Sequence, residues 1–156
     1  MNIRHCLPAL LLLACFGQAS AAGLRLHATL NGANVISATD SKATGEATAE
    51  LDADNKVRIN LVFGGLASDV TGASLHTGTS AENGPMAMSL GVRKDQTVGS
   101  LVDEQLDLTE EVAQRMRDGE TYIVVTTVDH PAGVIRGQLL PQPVRLGDEP
   151  EEQEER

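Results

Sequence analysis

The chain has 156 residues, with 22 acidic against 12 basic side chains and a formal net charge of −10, and its only aromatics are Phe16, Phe63 and Tyr122. That length suits one domain. An acidic chain with so few rings lacks the positive field and stacking platforms of nucleic-acid binders, and it cannot wall a haem or flavin pocket with aromatics. Residues 1–21 read as a secretory signal. Arg4 and His5 form a basic start, residues 7–16 an apolar core, and Ala19-Ser20-Ala21 a small-residue cleavage pattern. The core is too short to span a bilayer, and no later apolar run approaches the ~18 residues that a span needs. Both cysteines, Cys6 and Cys15, would leave with the signal, so the mature chain is expected to hold no disulfide. A competing reading takes Leu12-Leu13-Ala14-Cys15 as a lipobox, which would anchor the protein through a lipidated Cys15. Either reading places the domain outside the cytoplasm, periplasmic or secreted.

The domain is expected over residues 22–146 and reads as strands. Leu24, Leu26, Ala28 and Leu30 alternate with Arg25, His27 and Thr29. Residues 43–51 and 57–63 alternate in the same way around a polar turn, which predicts a hairpin. Further strands are predicted over 71–76 and 86–90. Residues 122–128 are β-branched throughout after Tyr122, as suits a central strand. A turn through His130-Pro131-Ala132-Gly133 leads to a last strand over 134–140. One helix is predicted, with Thr109 as cap, Glu110 and Glu111 in its first turn, Arg115 and Arg117 in its last, and Gly119 at its end. Short strands with one helical insertion predict an all-β, antiparallel Greek-key β-sandwich. Residues 147–156 carry six carboxylates, one Arg and no apolar side chain, so they read as a disordered acidic tail.

Two stretches carry a family resemblance. Thr71-Gly72-Ala73-Ser74-Leu75-His76-Thr77-Gly78, followed by Asn83-Gly84-Pro85, resembles one motif of the CHRD domain, named after chordin. Tyr122-Ile123-Val124-Val125-Thr126-Thr127, then His130-Pro131-Ala132-Gly133 and Ile135-Arg136-Gly137-Gln138-Leu139, resembles its closing motif. Together with Ala43-Thr44-Gly45-Glu46-Ala47, the likeness covers roughly residues 24–141. It implies a secreted all-β module of the immunoglobulin-like or superoxide-dismutase-like kind. In chordin the module sits within an extracellular growth-factor antagonist, and bacterial members generally have no assigned activity. This chain departs from the pattern in three places: Ser74 stands where the family usually has a first histidine, Thr126 where it has another, and Val134 where it commonly has Glu.

These features suggest a non-enzymatic binding module whose partner is an extracytoplasmic protein or a surface polymer. The alternative is a periplasmic copper- or zinc-binding protein. His76 and His130 are the candidate imidazole ligands, with Met86 and Met88 as soft thioether donors two apart on one strand. The plainer readings are a hydrogen-bonded strand histidine, a turn histidine, and two core methionines continuing to Leu90. His27 reads as an exposed strand histidine. Arg136, flanked by apolar residues and Gly137, is expected to be an internal strut that needs a carboxylate or several carbonyls; Asp129, Asp69 and Glu46 are the available acids. Gly137 is expected to admit a bulge or a close backbone approach, and Tyr122 and Gly133 complete the structural set. No Gly-x-Ser-x-Gly elbow or His-Glu-x-x-His run is present. Ser74 and His76 share a strand face but have no acid beside them to orient the imidazole.

Overall fold

A computed structural model describes residues 23–142. The signal with both cysteines, the lipobox within it, and the acidic tail lie outside the described residues. In chain order the elements are β1 (Leu24–Asn31), a 3-10 turn (Gly32–Asn34), β2 (Thr44–Leu51), β3 (Lys56–Gly64), β4 (Val70–Thr77), β5 (Met86–Leu90), β6 (Gly99–Asp107), α1 (Glu110–Arg117), β7 (Thr121–Thr127) and β8 (Ile135–Pro141). All strand pairs are antiparallel, in the order β5-β4-β7-β8-β1-β2-β3-β6. The fold is all-β with one short helix, as the sequence predicts. The two expected layers are the two halves of one continuous sheet that curls round a single core. The Gly91 amide, just past β5, donates to both carboxylate oxygens of Glu104 in β6, at 3.2 and 3.1 Å. The two sheet edges are thereby tied and the sheet nearly closes into a barrel.

The β2–β3 hairpin shows why these residues make strands. Every second residue is buried in both. Small inward residues of β2 face large ones of β3, with Gly45 opposite Phe63, Ala47 opposite Leu61 and Ala49 opposite Ile59. This pairing fills the interior without overcrowding it. The turn is set by Asp52, whose Oδ1 accepts from the amides of Asp54 and Lys56, each at 2.9 Å. Helix α1 matches its sequence signals: Thr109 Oγ1 accepts from the Val112 amide, and Ala113 and Met116 are buried.

Two features differ from expectation. Strand β6 gives no sequence signal, because only Leu101 of its nine residues is buried and Val102 is 77% exposed. It is an edge strand that pairs only with β3, and its register shifts opposite Ile59 and Leu61, beside Asp103 in the left-handed region (φ 59°). That irregularity removes the period-two pattern. In β5, the expected core face Met86-Met88-Leu90 holds for Leu90, which is buried, and in part for Met88, which packs against the core. Met86 is 61% exposed, because the β4–β5 register shifts between Leu75 and His76 and sets Met86 opposite His76.

Candidate functional site

The site forms on the outer face of β4, β7 and β8, where cross-strand register lines up two rows. Ser74, Val124 and Arg136 form one row, and His76, Tyr122 and Gln138 the other. The segment between β4 and β5, residues 78–85, folds across these rows and takes hydrogen bonds from them. Arg136 is 2% exposed. Its Nη2 donates to the Thr79 and Glu82 carbonyls at 2.6 and 2.9 Å, and its Nη1 to the Ser80 carbonyl at 3.5 Å. The guanidinium carbon lies 3.7 Å from the centre of the Tyr122 ring, a cation–π contact in a desolvated place. Burial lowers the Arg136 pKa from its ordinary value, opposed by Tyr122 and Glu82.

Arg136 is thus buried and joins β8 to the loop through carbonyl acceptors. None of the expected acids supplies its partners; Asp129, Asp69 and Glu46 make no ion pair with Arg136. The fork meets a loop whose carbonyls turn down onto β8, and carbonyl acceptors satisfy a buried guanidinium without a second buried charge.

The same loop is held by further hydrogen bonds. The Gly84 amide donates to Tyr122 Oη at 2.9 Å. The Gly84 carbonyl meets His76 Nδ1 at 3.1 Å. Gln138 Nε2 donates to the carbonyls of Gly78 and Gly119, at 2.9 and 2.8 Å. The amides of Thr77 and Gly78 donate to Pro85 and Glu120 carbonyls. Gly84 sits so close to the chain that a Cβ there would overlap the Thr77 carbonyl oxygen. At Gly137 a Cβ would lie 2.8 Å from the Thr29 carbonyl oxygen of β1. Gly133 closes the β7–β8 turn at φ 128°, where side chains are strained.

His76, Tyr122 and Arg136 form one stack. The His76 and Tyr122 rings lie 5.2 Å apart at 19°, with the guanidinium on the same phenol. Beside the stack an open groove of about 510 Å³ runs over β5, β4 and β7, lined by Ser74, His76, Met86, Thr126 and Pro131 among others. Within it Ser74 Oγ and His76 Nε2 are 2.9 Å apart. Both ring nitrogens of His76 are thus engaged. No acid stands beside the pair; the group at the far ring nitrogen is the backbone carbonyl of Gly84, which no side-chain pattern marks. The one sequence signal for it is Asn83-Gly84-Pro85, where the glycine marks a close approach.

Of the four candidate metal ligands, the structure brings His76 and Met86 together as cross-strand neighbours at the groove. His130 sits on the turn, where its carbonyl accepts from the amides of Thr127 and Gly133. It is not among the residues lining the groove, although Pro131 and Ala132 are. Met88 faces the core. Among the described residues no group of three or more His, Cys, Asp or Glu is placed to hold a metal ion. His27 is half-buried, paired with Thr48 and Leu140.

Comparison with curated proteins and with solved structures gives no match. The family model of the CHRD domain matches residues 26–139, from within β1 to within β8 and across every residue of the clamped loop. The chain belongs to the CHRD domain family.

Proposed function

We infer that the protein is a secreted or periplasmic, non-enzymatic CHRD-type binding module, and that the clamped loop is the surface it offers to an extracytoplasmic protein or surface polymer. The carrying observation is the buried Arg136 holding three carbonyls of one short loop while residues 79–83 remain exposed. A rigid scaffold that fixes a loop's backbone and leaves its side chains outward is how binding loops are commonly presented. The family's polar motif residues face the loop and hold it, which accounts for them without a reaction. The N-terminal sequence supports export, and no helix among the described residues is long and apolar enough to cross a membrane.

A photo-crosslinking residue placed at Ala81 of the loop should capture one partner from the native extracytoplasmic fraction. The same group at Val102, exposed on β6 and outside residues 78–85, should not. Equal capture from both positions, or none from Ala81, overturns the reading. Titration with Cu(I), Cu(II) and Zn(II) separates it from metal buffering. A Kd tighter than about 10 μM, near −7 kcal/mol, would replace the binding module with the metal reading.

A further inference from the structure

We propose that Ser74 is an acylation site, a hydroxyl activated by His76 that takes one acyl group from an activated ester. The inference is independent of the partner-binding reading and rests on the orientation of one imidazole.

The tautomer follows from the partners. A carbonyl oxygen only accepts, so the 3.1 Å contact of His76 Nδ1 with the Gly84 carbonyl places the proton of the neutral ring on Nδ1. Nε2 then carries the lone pair, and at 2.9 Å from Ser74 Oγ it accepts the hydroxyl proton. A nucleophile, a base within reach and a third group orienting the base make up the arrangement that activates serine elsewhere. The backbone carbonyl fills the orienting role here. Gly84 is itself fixed by Tyr122 Oη, and the imidazole is packed on the Tyr122 ring, so both ends of the relay are held. Ser74 is half-buried and lines the open groove, while its neighbours Ala73 and Leu75 are buried in the core.

In the step, Ser74 Oγ forms a bond to the acyl carbon as its proton passes to His76 Nε2. The bond from that carbon to the leaving oxygen then breaks. The departing alkoxide or phenoxide keeps the electron pair and recovers the proton from the imidazolium. The products are an O-acyl Ser74 ester and an alcohol or phenol, and the imidazole is regenerated. Strand β4 is paired on both sides, with β5 and β7, so its amides serve the ladders rather than a developing oxyanion. The donor class is therefore restricted to esters with good leaving groups, and the outcome is one acyl group per chain.

The test uses the purified full chain and p-nitrophenyl acetate, read by intact mass and by peptide mapping. The expected result is a single acetyl group on Ser74 in the folded chain, absent from the same chain in urea. Ser74→Ala, which leaves every hydrogen bond to the loop in place, should remove that label. Ser89→Ala, which changes the serine opposite Ser74, should keep it. His76→Gln should slow labelling by about 100-fold or more, the span typical of a lost general base. Acetylation of lysines or the N-terminus without Ser74 overturns the proposal. So does Ser74 labelling that is equally fast in urea, or that His76→Gln leaves unchanged in a chain whose circular dichroism is native.

Discussion

The two halves of the sheet solve the same problem differently. On the β1–β2–β3–β6 side, outward residues meet water and pair loosely: Arg25 with Glu50 at 3.7 Å, Lys56 with Asp107 at 3.6 Å and Arg58 with Asp103 at 3.0 Å, all between largely exposed side chains. On the β4–β7–β8 side, the outward Tyr122, Arg136 and Gln138 are covered by residues 78–85, and a single guanidinium is buried under loop carbonyls. Exposed pairs gain little because water competes for both partners. Covered polar groups stabilise strongly only while every partner is in place, because an orphaned one bears the full cost of desolvation. The first half is tolerant; the second is a lock that fails as a unit.

The sharpest way to break this contrast is Arg136→Met. It removes the donors to Thr79, Ser80 and Glu82 and leaves their carbonyls over an apolar chain. Stability in urea should fall by about 3 kcal/mol or more. Arg136→Lys should recover little of it, because an ammonium supplies neither the planar fork nor the ring stack. A loss below about 1 kcal/mol would mean that water replaces the guanidinium and the loop is not locked. Next comes Gly84→Ala, which forces the loop off the Thr77 carbonyl and should cost about 2 kcal/mol. Tyr122→Phe deletes the hydroxyl that accepts from the Gly84 amide at 2.9 Å and donates to the Gly84 carbonyl at 3.4 Å. It should cost about 1–2 kcal/mol, with faster hydrogen exchange at that amide and little change in β2 and β3.

Legibility in the sequence follows the same division. In β2 and β3 burial alternates with every residue, so period two alone identifies the hairpin and its core face. Helix α1 is equally readable, since its cap and charges act locally. Strand β7 is readable as central but not as to why, because its second buried face is created by a loop some forty residues earlier in the chain. Edge strand β6 is silent, since a strand with one buried residue and a bulge carries no periodicity. Arg136 was legible as buried and in need of acceptors. Its actual acceptors are backbone carbonyls, which every residue has and no sequence pattern distinguishes. The Ser74–His76 contact was legible as a shared face. What orients the ring comes from Gly84, and only the folded loop shows it.

The smallest expected effect tests the tolerant half. Arg58 and Asp103 make the shortest of the exposed pairs, at 3.0 Å, so this pair is the fairest challenge to the claim that the outer face there contributes little. Asp103 lies in the left-handed region and its amide donates to Asn60 Oδ1 at 2.9 Å. Backbone geometry and an amide side chain, rather than the carboxylate, therefore hold the bulge. Arg58→Ala should change stability by no more than about 0.5 kcal/mol, and the change should shrink further in high salt as screening removes what attraction remains. A loss matching that of Tyr122→Phe would show that the ion pair fixes the β3–β6 register. The two halves of the sheet would then depend alike on their outward polar residues, and the covering loop would no longer be what separates them.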